Sequence, residues 1–245
     1  MDFTKIVPPQ NPELILFPLP IGEHSNAWML TTEYLKEIQS ITTWVAEEAR
    51  TLRRFLSSLK LGINIPELTI IELNEHTSQK ELELQLSQWV KINPTGKLGL
   101  CSEAGMPCIA DPGNLAVKFA QARNWTLRVI PGPNSLLITL AGSGLNGQSF
   151  TFHGYPPVKE DQQKLLLSTL LKNFPKNHSH IFIEAPYRSD KFFQWLIKQF
   201  PPQTALCIGY QLHTEEEWIK TKTLADWRKM NIILGKSPCV FIIGT

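Results

Sequence analysis

The 245-residue sequence predicts an α/β protein of two domains, a parallel sheet with helices on both faces followed by a mixed sheet. Three observations carry that expectation. Over the first 130 or so residues, short apolar runs alternate with helix-periodic segments of about 10 to 15 residues, the pattern of βαβ units. Beyond residue 150 the strand-like runs follow one another with shorter links, as in a mixed sheet. Between the two, residues 142–148 hold Gly142, Gly144 and Gly147 with Ser143 and Asn146, a boundary signal that divides the chain into 1–145 and 146–245.

Residues 14–19 form an apolar run bounded by Pro12 and by Pro18, Pro20 and Gly22, the look of a buried strand entering a tight loop. Residues 28–39 predict a helix, 41–46 a strand, and 49–59 a helix on which Leu52, Phe55, Leu56 and Leu59 recur at helical spacing. Residues 68–71 predict a short strand. In 78–90 both periods are present, and the Ser78-x-x-Glu81 capping box decides for a helix. A strand at 97–101 follows, then a helix over 116–123 started near Pro112, with Asp111 as its N-cap, and a strand at 127–130. In the second half, 150–153, 181–184, 204–210, 217–220 and 239–243 predict strands, and 162–171 and 189–200 helices. No internal repeat and no low-complexity segment interrupts the pattern.

Composition narrows the function classes. The chain is 42% hydrophobic and 19% charged, ordinary globular material. It offers no apolar run of about 18 residues, and residues 1–12 lack a basic region followed by an apolar core, so a cytoplasmic protein without a membrane span is expected. Cys101, Cys108, Cys207 and Cys239 form no CxxC pair and are expected to be reduced and structural. His178 and His180 are too little for a zinc site, and no metal is expected. There is no GxGxxG after a strand, no P-loop around Gly235-Lys236-Ser237, and no GxSxG around any serine. Net charge is +2, unevenly spread: residues 1–150 carry 12 Lys and Arg against 14 Asp and Glu, residues 151–245 carry 12 against 8. A polyanion would therefore meet the second half, through Lys191, Lys198, Lys220, Lys222, Arg228 and Lys229.

Three loops concentrate the unusual residues. Residues 100–113, Leu-Cys-Ser-Glu-Ala-Gly-Met-Pro-Cys-Ile-Ala-Asp-Pro-Gly, leave a buried strand and end at a helix start. Residues 130–135, Ile-Pro-Gly-Pro-Asn-Ser, and 18–22, Pro-Leu-Pro-Ile-Gly, do likewise. In an open α/β sheet ligands bind outside the carboxyl ends of the strands, so three rigid, glycine-containing loops there describe a pocket that holds a ligand by its backbone.

These motifs resemble a known family. Ser102 to Gly113 is similar to the S-D-A-G-T-P-x-I-x-D-P-G signature of the ribosomal RNA ribose 2′-O-methyltransferases within the tetrapyrrole-methylase superfamily. The companions follow in order: Pro18 to Gly22 resembles P-T-P-I-G, Ala46-Glu-Glu-Ala-Arg50 resembles A-E-D-T-R, Pro131-Gly-Pro133 the P-G-P, Ser143-Gly-Leu145 with Phe152-His-Gly-Tyr155 the S-G-L and G-F, and Ile183 to Arg188 the Y-E-S-x-H-R. The likeness runs from about residue 14 to 243. It departs at Glu103, Met106, Glu48 and Ala49, and at Gly209-Tyr210-Gln211, where an arginine–glutamate pair is usual.

The resemblance implies S-adenosylmethionine in a cleft between two domains, a homodimer, and methyl transfer to ribosomal RNA or the small ribosomal subunit. As cofactor-binding residues it nominates Pro18, Pro20, Ser102, Glu103, Ala104, Met106, Pro131, Gly132, Asn134, Ser135, Ile183, Tyr210, Gln211 and Pro238. The chemistry is a displacement at the sulfonium methyl, in which the protein supplies orientation and, for a hydroxyl acceptor, a base. Glu47 and Glu184 are the candidate bases, with Arg50 beside the first; each acid also fits a simple ion pair, Glu47 with Arg50 and Glu184 with Arg188. The run Glu215-Glu-Glu217 reads as solvated charge. Alternative readings are methylation of a tetrapyrrole or other small molecule, and a non-catalytic cofactor-binding protein.

Overall fold

The computed structural model describes residues 11–172 and 177–244; residues 1–10, on which part of the expectation about the chain's start rests, lie outside them. Among the described residues its contacts fall into two compact units, residues 11–20 with 25–133, and 21–24 with 134–172 and 177–244.

The first unit is built on β1 (Glu13–Leu16), β2 (Thr43–Ala46), β3 (Thr69–Glu72), β4 (Lys97–Cys101) and β5 (Thr126–Val129). All pair in parallel, in the order β3-β2-β4-β1-β5. Helices α1 (Ser25–Met29), α2 (Thr32–Gln39), α3 (Ala49–Ser58), α4 (Gln79–Ile92) and α5 (Asn114–Ala122) connect them. Side-chain alternation gives the sheet two cores, as the expected two-faced cover requires. Leu14, Leu16, Val45, Leu98 and Leu100 pack with Leu82, Leu86 and Trp89 of α4 and Phe119 of α5. Ile15, Phe17, Trp44 and Cys101 pack with Ile38 of α2 and with Leu52 and Leu56 of α3.

Three details depart from the sequence reading. The single helix expected over 28–39 is two, because Thr31 takes an extended backbone and caps α2 by accepting from the Tyr34 N–H at 3.2 Å. Asp111 is not the N-cap of α5, which Gly113 precedes; its Oδ1 instead accepts the Gly113 N–H at 2.7 Å, inside the loop. A short 3-10 turn, Ile65–Glu67, leads into β3. The helix start expected at Ser78 is present: Ser78 is the N-cap of α4, its hydroxyl accepting from Glu81 N–H at 3.2 Å, the N-cap half of the expected capping box.

The second unit opens with α6 (Ser135–Ser143), followed by β6 (Phe150–Phe152), α7 (Glu160–Lys172), β7 (Ser179–Glu184), α8 (Ser189–Gln199), β8 (Ala205–Tyr210), β9 (Trp218–Thr223), α9 (Leu224–Lys229) and β10 (Cys239–Gly244). Its sheet runs β6-β7-β10-β8-β9; only β6 and β7 are parallel. Contacts divide the chain at Pro133 and Asn134, upstream of the expected 145. The reason is packing: Leu136 and Leu140 of α6 are buried against Ile181, Cys207, Val240 and Ile242, so the glycine-rich stretch follows a helix the second sheet already holds. Helix α9, six residues long, is too short to leave a periodic signal, yet its Trp227 is fully buried and donates to Leu206 O at 2.8 Å. The four cysteines are free, and only Cys108 is not buried.

Candidate functional site

Because the first sheet is parallel, the carboxyl ends of β1, β2, β4 and β5 share one edge. The chain leaves β1 toward β2 on one side and β4 toward β5 on the other, so β1 and β4 are neighbours across the point where strand order reverses, where open α/β sheets bind ligands. The loops that follow these two strands are joined there. Leu19 and Gly105 exchange both backbone hydrogen bonds, at 3.0 and 2.9 Å. Gly105 adopts φ +70°, a conformation glycine takes without Cβ strain. The loop after β5 closes on the same segment, since a Cβ on Gly132 would stand 2.2 Å from Pro18 Cγ. Tyr34 of α2 completes the support by donating its hydroxyl to Pro18 O at 2.8 Å. Nothing in the sequence marked Tyr34 beyond its place on a helix.

Within the loop 102–113, Ser102 is buried and donates to Ala104 O at 3.1 Å, Met106 is half-buried, and Glu103 and Ala104 are exposed. Cys108 and Ala110 hold φ of 68° and 67° without being glycine, backbone strain of the kind that collects at ligand sites. Pro131 and Gly132 are exposed and Pro20 half-exposed. Asn134 is different: its Oδ1 caps α6, accepting from Leu136 N–H at 3.0 Å and Leu137 N–H at 3.2 Å. Ser135 begins that helix, and its carbonyl accepts from Thr139 Oγ1 at 2.8 Å.

Carboxylates gather at the same edge. Glu47, directly after β2, accepts the Glu103 N–H at 3.3 Å through Oε2. Burial pushes its carboxyl above the ordinary range, and the charges of Asp111 and Glu103 add to that, against the Glu103 N–H, which lowers it. The Glu47–Arg50 ion pair that spacing allows does not form. Residue 48 is an extended N-cap, φ −138°, so residues 47 and 50 do not share a helical face. Glu48 takes the capping role, its carboxylate accepting from the Arg50 N–H at 2.9 Å and from Thr51. Arg50 is exposed, makes no ion pair among the described residues, and its charge lowers the carboxyl of Glu48. Asp111 Oδ2 is buried without a hydrogen-bond partner. Such a surface, exposed backbone beside three acids, suits a ligand read through its backbone-facing edges that also carries positive charge.

In the second unit the candidates meet at one edge of its sheet. Antiparallel pairing brings the ends of β7 and β8 beside the starts of β10 and β9, with Glu184, Cys239, Tyr210 and Trp218 in register across four strands. Tyr210 stacks on Trp218 with ring centroids 5.0 Å apart, shares a 3.0 Å hydrogen bond with Ser237 and accepts from Gln211 Nε2 at 2.9 Å. Gln211 donates its N–H to Pro238 O at 3.1 Å and holds φ +43°. Ile183 belongs to the opposite, α6-covered face. Glu184 has no exposed side-chain surface; Arg188 Nη2 lies 2.8 Å from its Oε2, and Ala185 N–H donates to its Oε1 at 2.8 Å. Burial raises its carboxyl, while that N–H and the Arg188 charge lower it. Here the ion pair expected from spacing is present.

The acidic run is more than solvated charge: Glu216 accepts from Gln211 Nε2 and Glu217 from the His213 N–H, pinning the turn after β8. Among the described residues, the one grouping with metal-ligand spacing is Glu23, His24 and Glu215, all exposed. Of the basic residues, Arg228 is engaged by the Ile197 and Phe200 carbonyls and Lys229 by Asp226 at 2.9 Å.

The fold and the joined strand-end loops define a class. A solved structure with this architecture is uroporphyrin-III-C-methyltransferase from Thermus thermophilus, TM-score 0.56 and 15% identity, covering 96% of this chain and 92% of that one. No family model matches the chain. Among curated proteins, Ribosomal RNA small subunit methyltransferase I of Thermotoga maritima is 31% identical over 176 residues, 72% of this chain and 72% of the relative. The protein of the same name from Vibrio cholerae is 28% identical over 226 residues, 92% of this chain and 74% of the relative. The chain belongs to the ribosomal RNA small subunit methyltransferase I family.

Proposed function

We propose that the protein transfers a methyl group from S-adenosylmethionine to a ribose hydroxyl of small-subunit ribosomal RNA. The observation that carries this reading is the joined set of loops at the strand-order reversal, Leu19 to Gly105 and Pro18 to Gly132, with Glu47, Glu103 and Asp111 beside it. Family membership supplies the acceptor class, since the relatives carry ribosomal RNA of the small subunit in their name. The acids suit a sulfonium donor, whose positive charge they attract. When bound, the cofactor supplies an activated methyl electrophile, and no covalent nucleophile is needed.

The protein's own part is to bind and orient, and to take a proton. Pro18, Pro20, Ser102, Glu103, Ala104, Met106, Pro131, Gly132 and Ser135 of the loops are assigned to the cofactor mainly through backbone atoms, rigid loops costing less to order. Asn134 supports them as a cap. From the second unit Ile183, Tyr210, Gln211 and Pro238 keep the assignment the resemblance gives them. Glu47 is the base of choice: it has no cationic partner, and burial raises its affinity for a proton above that of an ordinary carboxylate, the direction that favours a general base. Glu184 is held by Arg188 and serves as a structural pair. We further infer a cytoplasmic homodimer that uses no metal.

The test is direct. S-adenosylhomocysteine at millimolar concentration should raise the melting temperature and release or absorb heat on titration, because a ligand of the native state stabilises it by mass action. Labelled methyl should then pass to small ribosomal subunits from cells lacking the protein. The absence of both heat and stabilisation sinks the cofactor assignment; binding without transfer sinks the acceptor. Sedimentation at micromolar concentration decides assembly, a 27.8 kDa monomer being the contrary result.

A further inference from the structure

We propose that RNA is gripped on the second unit at the outer ends of β6 and β7, its bases stacked on Tyr155 and Tyr187 and its phosphates met by Lys159 and Lys191. The proposal rests on the ribosomal RNA reading above and says where on the protein such an acceptor is held.

Both tyrosines are strongly exposed, 59% for Tyr155 and 72% for Tyr187, although a buried position is common for a residue of this size. Each stands on a stiff piece of chain. Tyr155 lies between Gly154, φ +69°, and the pair Pro156-Pro157; Tyr187 follows Pro186 within the 3-10 turn Pro186–Arg188. Parallel pairing of β6 with β7 puts both segments at the same edge of the sheet. Two hydrogen bonds tie them: Ile183 N–H to Gly154 O at 3.1 Å, and Arg188 Nη2 to Pro156 O at 3.4 Å. Rings carried on a fixed backbone lose less entropy on stacking than rings on a mobile loop, and every base offers a π-face, so such a platform accepts single-stranded nucleic acid of varied sequence.

The charges around the rings fit the same partner. Lys159 and Lys191 are exposed and form no ion pair among the described residues. Lys191, Arg188, Val158, Phe192 and Trp195 line a cavity of about 50 Å³ beneath the surface. The acids nearby are largely taken up: Glu184 by Arg188, Glu160 by Lys164 at 3.0 Å, and Asp190 by the N–H groups of Leu234 and Gly235. Asp161 alone adds an exposed negative charge without an ion pair among the described residues. The lysines the sequence singled out on β9, Lys220 and Lys222, lie at the other edge of the sheet, where lysines also keep an edge strand from pairing with a second chain.

The experiment compares Tyr155→Ala/Tyr187→Ala, Tyr155→Phe/Tyr187→Phe and Lys159→Gln/Lys191→Gln with the full-length wild type. The probe is a fluorescent single-stranded oligoriboadenylate of about 12 nucleotides, within the site sizes such platforms cover. The alanine pair should weaken binding about 100-fold, roughly 10-fold for each lost stack, and the phenylalanine pair should bind as the wild type does. The glutamine pair should flatten the dependence of log K on log salt by about 0.7 per lost phosphate contact. Affinity for S-adenosylhomocysteine should not change in any of them, which certifies the fold. Undiminished RNA binding by the alanine pair overturns the surface, while methyl transfer by the wild type would leave the methyltransferase reading standing. Equal loss in the phenylalanine pair overturns stacking in favour of hydroxyl bonding. Normal RNA binding with lost transfer to assembled subunits overturns the proposal in favour of a protein contact. A wild type that neither binds the probe nor methylates subunits overturns both readings.

Discussion

The strand ends of the two units solve the same problem with different material. In the first, the loops after β1, β4 and β5 are held by backbone bonds, by the left-handed backbone of Gly105 and by the absence of a Cβ at Gly132, which leaves exposed backbone and three mutually repelling acids. In the second, the edge is made of side chains: Tyr210 on Trp218, Ser237 and Gln211 on Tyr210, Arg188 on Glu184. The two candidate bases make the contrast sharp. Glu47 and Glu184 each follow or end a strand and precede an arginine at helical spacing, yet one is flanked by carboxylates and the other neutralised by its arginine. A carboxylate without a cation is available for proton transfer, whereas a buried, paired one is costly to disturb.

The comparison can be broken in four places. The largest effect is expected at Glu47: Glu47→Gln should lower kcat by about 10²- to 10⁴-fold with little change in stability. The acid limb of the wild-type pH profile should lie above the ordinary carboxylate range, since burial raises this group. A Gln variant with normal turnover would move the base elsewhere. Next is Arg188→Met, which leaves Glu184 buried without its cation; unfolding in urea should show a loss of about 3 kcal/mol. Much of that loss should be recovered in Arg188→Met/Glu184→Gln, and a recovered stability with normal kcat would confirm Glu184 as structural.

Gly132→Ala comes third. Its Cβ would meet Pro18 at 2.2 Å, so overpacking should cost about 1–3 kcal/mol and weaken S-adenosylhomocysteine binding seen by calorimetry. Gly147→Ala, with nothing near its added Cβ, is the control that should do neither. The smallest effect at neutral pH concerns the histidines at the opposite end of the second sheet. His180 shares a 2.9 Å hydrogen bond with His153 and packs edge-on to His178. Burial, then the charges of His153 and His178, push His180 down to about 4. A depressed histidine keeps its full contribution above the unfolded value near 6.5 and loses it as pH falls toward 4. Urea midpoints of wild type and His180→Asn should therefore converge between pH 7 and 4.5; parallel curves would contradict the shift.

Much of this was written in the sequence. Period-2 and period-3.6 patterns gave the α/β class and nearly every strand, because binary patterning follows from which face is buried. The N-cap at Ser78, the positions of the three loops and the Glu184–Arg188 pair were legible for the same reason: each depends on residues close in the chain. Other features depend on residues brought together only by folding. That Leu19 bonds Gly105, that Gly132 leaves room for Pro18, and that Tyr34 holds Pro18 needed the strand order β3-β2-β4-β1-β5, which no local pattern specifies. The N-cap at Thr31 split a helix that periodicity alone had joined, and the extended Glu48 separated Glu47 from Arg50. The sequence by itself determined the elements and the chemistry available at their ends, since those are local consequences of side-chain type. Only the tertiary structure decided which acid keeps a counter-charge and which does not, because Coulomb energy and burial depend on distance in space rather than along the chain.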